Sequence, residues 1–253
     1  MLEFLRDTQL MFGRSLIRTL RNPVWVIIGL LQPVLYFLLF APLLNSLQMP
    51  GFGQTSSLNI FVPGLLVMIA LFSAGFAGFS ILDDLRSGVV ERLRVTPASR
   101  LALLLGMVLH DVLVFLIQCG LLVVAATLMG LRADPLGLVL LFALMALLGL
   151  MMVSVSYALT LIIKDQSSLA AMLSTITQPL LLLSGVLLPL TLAPRLLQTL
   201  AAFNPFAHAV DAARALVNGH LGDQSILLGF GIVAMLAVLA TLWASRIFRE
   251  ATA

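Results

Sequence analysis

The chain alternates long hydrophobic runs with short polar segments, and six runs are long enough to cross a membrane. They cover roughly residues 24–44, 60–80, 101–130, 136–163, 168–190 and 226–247. A helix needs about 20 apolar residues to cross a hydrocarbon core of about 30 Å. Because backbone groups in lipid must be hydrogen-bonded within their own segment, we expect all six runs to be α-helices. The pattern predicts an all-α integral membrane protein with six transmembrane helices, in which residues 1–253 form a single transmembrane domain.

Composition agrees with this class. Hydrophobic residues make up 61% of the chain and charged residues only 10%, whereas a soluble domain carries about 25% charged residues. With an inside N-terminus, eleven of the fourteen Lys and Arg residues fall on one side of the predicted spans. This bias predicts that both termini are cytoplasmic. The inner (cytoplasmic) membrane is the expected location. The basic pI near 9.8 therefore reflects the bias and does not indicate nucleic-acid binding.

Two segments outside the spans are predicted to be helical. Residues 1–23 intersperse apolar side chains with arginines, which is typical of a helix lying in the membrane interface. Residues 191–225 are too long and too apolar for a simple outer loop, and Phe203-Asn204-Pro205 interrupts their helical spacing. We expect two outer half-helices that dip back toward the membrane as a re-entrant hairpin. A hairpin lying flat on the outer surface is the alternative.

Residues 83–100 form the longest charged interruption in the hydrophobic part of the chain. Leu85, Val89 and Leu93 recur every four residues and would line one face of a short helix outside the bilayer. Thr96-Pro97 would end that helix, because the residue before proline avoids the helical region. The segment is predicted to be a cytoplasmic helix that offers an apolar stripe to a partner. The alternative is a solvated loop lying on lipid headgroups.

Polar residues inside the spans are the next candidates. Asp111, beside His110, is the only acidic residue well inside a predicted span. Intramembrane acids are usually functional, because an unpaired charge in lipid is costly. However, the run 101–130 is longer than the core, so Asp111 could instead lie near the interface and take part in packing. Gln178 could form a helix-to-helix hydrogen bond or contact substrate.

Two motifs resemble those of the membrane subunits of ABC-2 type ATP-binding-cassette exporters, and most resemble the drug-resistance and nodulation-factor permeases. The first motif lies in a coupling helix between spans two and three and comprises Gly88, Glu91-Arg92-Leu93 and Thr96-Pro97. The second follows span five and comprises Ser184-Gly185, Pro189, Pro194, Phe203-Asn204-Pro205, Arg214 and Gly219. The resemblance covers essentially the whole chain.

The resemblance implies a non-catalytic permease subunit that works with a cytoplasmic ATPase subunit. The chain has no Gly-x-x-x-x-Gly-Lys-[Ser/Thr] loop. Its only lysine, Lys164, does not directly follow a glycine. We therefore expect no cofactor on this chain, with ATP and Mg²⁺ bound by the partner. The residues expected to bind that partner are Leu85, Arg86, Gly88, Val89, Glu91, Arg92, Leu93, Thr96 and Pro97. Six spans amount to half a permease, so a homodimer within membrane lipid is also expected.

The expected function is export of an amphipathic, lipid-like or drug-like substrate. The residues expected in its path or gate are Asp111, Gln178, Phe203, Asn204, Pro205, Asp211 and Arg214. An exporter of polysaccharide or lipid-linked glycan from the same family is the runner-up. A different class, an autonomous intramembrane enzyme, would have to use His208, Asp211 and His220, which lack a third nitrogen or sulfur ligand nearby.

Overall fold

A computed structural model of the chain describes residues 2–46, 57–88, 99–186 and 194–251. Within these ranges the chain is helical and contains no strand. The helices are α1 (Leu2–Arg21), α2 (Val24–Ser46), α3 (Ser57–Ile69), α4 (Gly78–Arg86), α5 (Arg100–Leu128), α6 (Pro135–Ile163), α7 (Gln166–Leu182), α8 (Arg195–Ala201), α9 (Pro205–Val217) and α10 (Gln224–Ala251). A π-helical turn over Ala70–Ala74 lies between α3 and α4.

Four helical stretches are long and apolar enough to cross a membrane. They are Leu58–Arg86, Leu101–Leu128, Pro135–Ile163 and Gln224–Glu250. Helices α1 and α2 meet at a bend of 66° and supply a fifth span only if they are counted together. Helix α7 has 17 residues, or about 26 Å of helix, which is shorter than a core of about 30 Å. The all-helical membrane class is therefore confirmed, but the predicted total of six spans is not.

Helix α6 lies at the centre of the bundle. It packs against α5, α9 and α10, and also against α4 and the π-helical turn. Apolar residues occur all round this helix, as expected for a helix buried by neighbours or lipid. Asp134 caps its start by accepting a hydrogen bond from the Gly137 amide at 2.8 Å. Lys164 ends it in the left-handed conformation, with φ of 55°.

Helix α1, the predicted N-terminal helix, lies against α5. Gly106 of α5 permits the contact, since a Cβ atom there would lie 2.6 Å from the Thr8 carbonyl oxygen and 2.7 Å from the Met11 Cβ. Met11 is buried at this contact. The position of α1 relative to a membrane surface, and the side on which both termini lie, stay predictions.

The long stretch Leu58–Arg86 is interrupted by the π-helical turn, and Ser156 of α6 bridges the interruption. Its hydroxyl donates to the Gly75 carbonyl oxygen at 2.5 Å and accepts from the Gly78 amide at 2.8 Å. These bonds satisfy backbone groups that the irregular turn would otherwise leave unpaired in a buried position. The irregular turn therefore depends on a side chain of the central helix.

Candidate functional site

The structure describes only part of the predicted coupling segment. Asp83 to Arg86 form the last turn of α4, which is the C-terminal end of the long stretch Leu58–Arg86. Leu85 is half-buried against the core of the same chain. Gly88 has a φ of 69°, a conformation that favours glycine. The predicted partner-binding residues Val89, Glu91, Arg92, Leu93, Thr96 and Pro97 lie outside the described residues, so their role stays a prediction.

The end of α4 is tied to two other helices. Asp84 is buried and pairs with Arg18 of α1 at 2.9 Å and with Arg14 at 3.5 Å. Arg86 donates to the Gln166 side chain at the start of α7, at 2.8 Å. The C-terminal end of α4 is therefore linked to both α1 and α7. No local sequence pattern pointed to this role of Asp84, because its two arginine partners lie far from it in the chain.

Asp165 caps the start of α7 beside this contact. Its carboxylate accepts from the Ser167 hydroxyl at 2.5 Å and from the Ser168 amide at 2.8 Å. These hydrogen bonds stabilise the charged form and lower the pKa of Asp165 to about 2. The charged carboxylate therefore fixes where α7 begins, and with it the position of Gln166.

Asp111 lies in a hydrogen-bond network that links three helices. It accepts from the Tyr157 hydroxyl of α6 at 2.7 Å, and its other oxygen lies 2.8 Å from His110 Nδ1. A carboxylate only accepts, so Nδ1 carries the proton, and Nε2 of a neutral ring accepts from Thr19 of α1 at 3.1 Å. These hydrogen bonds join α1, α5 and α6, and the network also borders a cavity.

That cavity, which we call the acidic pocket, is partly open and has a volume of about 590 Å³. It lies where the bend between α1 and α2 faces the π-helical turn, α4 and α5. Among the described residues, those of its lining that carry charge are Asp83, Asp84, Asp111 and Arg18. Phe72, Phe76 and Phe79 contribute apolar surface, and the buried Gln118 also lines the pocket. Of this group, only Asp111 was predicted as a path residue.

Asn204 joins the outer segment to α7. Its side-chain oxygen caps α9 by accepting from the Phe206 amide at 3.1 Å. Its amide group donates to the Leu180 carbonyl oxygen of α7 at 2.9 Å. Pro205 occupies the first turn of α9, where a missing amide hydrogen does no harm. The Asn204-Pro205 motif therefore starts α9 and fixes the N-terminal end of that helix to α7.

Arg214 also links α9 to other parts of the chain. Its guanidinium donates to the Gly185 carbonyl oxygen at 2.7 Å and to the Ile60 carbonyl oxygen of α3 at 3.1 Å. Gly185 has a φ of 70°, which explains glycine at this position. Asp211, one turn earlier on α9, is 3.7 Å from Arg214 and has a side chain that is 53% exposed. Two motif residues that are distant in the chain, Gly185 and Arg214, are thus in direct contact.

The remaining predicted path residues face outward. Phe203 is 85% exposed, and Gln178 is exposed on α7. His208 Nε2 lies 3.0 Å from the Ala202 carbonyl oxygen, so the ring already has a hydrogen-bond partner within the chain. Among the described residues, no three His, Cys, Asp or Glu side chains are placed to hold a metal ion.

Comparison with known proteins identifies the family. The ABC-2 type transporter model matches residues 6–218. The chain belongs to the ABC-2 type transporter family. It is similar to a daunorubicin resistance ABC transporter permease protein, DrrB1, of Streptomyces coeruleorubidus, with 27% identity covering 91% of this chain and 82% of that protein.

Two further relatives are putative transport permeases named ycf38. The protein of Pyropia yezoensis is 26% identical over 91% of this chain and 81% of its own length. That of Porphyra purpurea is 25% identical over 95% of this chain and 84% of its own length. This chain is therefore a membrane subunit of an ABC transporter, as its motifs predicted.

Proposed function

We propose that this chain is the permease subunit of an ABC exporter and that two copies form a path for an amphipathic, lipid-like or drug-like substrate. A separate cytoplasmic ATPase subunit supplies the energy, and this subunit is itself non-catalytic. The similarity to a drug-resistance permease supports export and a drug-like cargo. The absence of a phosphate-binding loop in the sequence supports an ATPase on another chain.

The exposed face of α7 is the observation that supports a homodimeric path. Gln178 lies 12 residues after Gln166, or about 18 Å along the helix, which is near mid-membrane depth. Its amide is exposed and bonds to no described residue. Pro179, next to it, cannot donate to the Thr175 carbonyl oxygen. Lipid satisfies neither group, and an unsatisfied polar group there costs several kcal/mol.

A second copy or a polar path would satisfy this face. Helix α7 packs on α6 and the π-helical turn, and its exposed residues include the polar Ser174, Thr175 and Gln178 beside the apolar Met172, Ile176 and Leu182. By contrast, the exposed residues of α10 between Leu227 and Leu242 are mostly apolar, as lipid-facing residues are. The two surfaces therefore fit different surroundings, with protein or substrate on α7 and lipid on α10.

Cysteine cross-linking in membranes tests this arrangement. Gln178→Cys is placed in a Cys119→Ser background, and Leu239→Cys on the apolar face of α10 is the matched control. We expect a short bifunctional maleimide to join two Gln178→Cys chains and to leave Leu239→Cys chains monomeric. Monomers for both variants, or equal dimer yields, would contradict a homodimeric path along α7.

A further inference from the structure

The acidic pocket has features of a binding site rather than of a packing defect. We propose that it binds an amphipathic molecule whose head is a protonated amine, with the amine between Asp83 and Asp111 and the apolar body along Phe72 and Phe76. This deepens the proposed function, on which it rests for the class of cargo, but binding requires only this chain.

The charge of the lining favours a cation. Asp83, Asp84 and Asp111 line the pocket, and Arg18 is the only arginine among the described residues that do so. Arg18 and Arg14 compensate Asp84. Asp83 is exposed and pairs with no other described residue. The negative charges of Asp83 and Asp111 are therefore the ones available to a ligand.

Asp111 retains acceptor capacity despite its network. A carboxylate offers about four lone-pair sites, and Tyr157 and His110 use one on each oxygen. Its side chain is 14% exposed and lines the pocket. Hydrogen bonds between a charged donor and a carboxylate are about twice as strong as neutral ones. An ammonium group can thus add to the network without displacing either partner.

Gln118 gives an independent indication that a donor binds here. Its side chain is fully buried and lines the pocket. Its Nε2 donates to the Val26 carbonyl oxygen at 2.9 Å, whereas its Oε1 accepts from no described residue. A buried acceptor without a partner costs about 1–3 kcal/mol. An N–H donor on a ligand would satisfy it.

The phenylalanine side chains that line the pocket suit an apolar body. The rings of Phe72 and Phe76 are 6.4 Å apart and nearly parallel, with 2° between their planes. Phe79 continues the row at 5.7 Å from Phe76. Phe72 and Phe76 are four residues apart along this stretch, and both line the cavity. At about 590 Å³, the pocket is in the usual range for small amphipathic ligands, about 300–1,000 Å³.

An anionic head group does not fit this lining. A carboxylate or phosphate would face Asp83 and Asp111 at close range, and like charges repel strongly where water is partly excluded. Two sources can supply the favoured chemistry: an aminophospholipid of the surrounding membrane, or an exported amine. Both place an ammonium group at one end of an apolar body.

The test compares three fluorescent probes that share an apolar body and differ in the head group. Pyrenebutylamine, pyrenebutanol and pyrenebutyrate are titrated against the full chain in phosphatidylglycerol nanodiscs, with empty nanodiscs subtracted. We expect saturable binding of the amine, with a Kd about tenfold lower than that of the alcohol, as one charge-assisted hydrogen bond provides. We expect no saturable binding of the carboxylate.

Variants locate the site. Asp83→Asn and Asp111→Asn together keep side-chain shape and are expected to raise the amine Kd about tenfold or more, while Gln118→Leu raises it less. Glu250→Gln, an exposed acid at the end of α10, is the matched control and leaves Kd unchanged. Gel filtration confirms that each variant is folded. Equal affinity for the three probes, or wild-type affinity in the double variant, would overturn the proposal.

Lipid composition identifies the source. If phosphatidylethanolamine in the nanodisc raises the amine Kd in proportion to its amount, the resident ligand is an aminophospholipid. If it does not compete, the ligand is an exported amine.

Loss of binding specificity alongside intact ATP-driven transport would refute only the proposed pocket. Specific binding by a chain that never joins an ATPase would refute only the proposed function.

Discussion

The hydrogen bonds of Arg214 allow a quantitative test of how the outer segment is held in place. Its side chain is 13% exposed and donates to the carbonyl oxygens of Gly185 and Ile60. A hydrogen bond from a charged donor contributes about 1.5–3 kcal/mol, so losing both costs about 3–6 kcal/mol. The pair with the half-exposed Asp211 adds little, since exposed ion pairs contribute about 0–1 kcal/mol.

We therefore expect Arg214→Ala to melt at least about 6 °C below wild type, at roughly 2 °C per kcal/mol for a chain of this size. Arg214→Lys keeps the charge but not the planar group that reaches two acceptors, so its midpoint should fall between the two. The assay is thermal unfolding in detergent, followed by gel filtration of the remaining monodisperse protein.

Arg195→Ala provides the control, because Arg195 is an exposed arginine on the neighbouring helix α8. It should melt within about 1 °C of wild type, as surface substitutions usually do. Equal midpoints for Arg214→Ala and Arg195→Ala would refute the structural tie. In that case, a loss of transport in Arg214→Ala would support a gating role for this residue instead.

Two further predictions concern local geometry. Gly78→Ala should destabilise the chain by about 1–3 kcal/mol through overpacking, because a Cβ atom there would meet Thr160 Oγ1 and the Ser156 carbonyl oxygen. Gly231→Ala in open space should not, and similar melting of both would contradict the close packing. Asp165 has a folded pKa lowered to about 2, so its stabilising effect is full at neutral pH and is lost as pH falls from about 4 to 2. The melting difference between wild type and Asp165→Asn should shrink over that range, and a constant difference would contradict the capping role.

Much of the fold follows from local sequence patterns. Hydrophobic runs located α2, α5, α6 and α10, because burial in lipid requires a continuous apolar helix whatever its neighbours. The break at Asn204-Pro205 was predictable, since capping is a local interaction. The count of spans was not, because α7 has only 17 described residues and α2 bends against α1.

The polar contacts could not be predicted, since they join residues distant in the chain. The Asp84–Arg18 pair, the Asp111–Tyr157 bond and the contact of Arg214 with Gly185 all depend on how the helices pack. The π-helical turn left no clear sequence signal either, because Ser156 of another helix stabilises it. The motif residues Asn204 and Arg214 were recognised from the sequence, whereas their role as ties became visible only in the structure.

The central claim is that this permease subunit depends on a separate ATPase that docks at residues 83–100. The most direct test co-expresses the chain with a candidate ATP-binding-cassette ATPase subunit and measures complex formation and ATP hydrolysis in detergent. Leu93→Asp changes the predicted apolar stripe, and Val95→Asp, which lies off that stripe in the predicted helix, is the matched control. We predict a stable, ATP-hydrolysing complex for wild type and Val95→Asp, and no complex for Leu93→Asp. A complex indifferent to Leu93→Asp would contradict the docking site, and failure of wild type to bind any ATPase would contradict the claim itself.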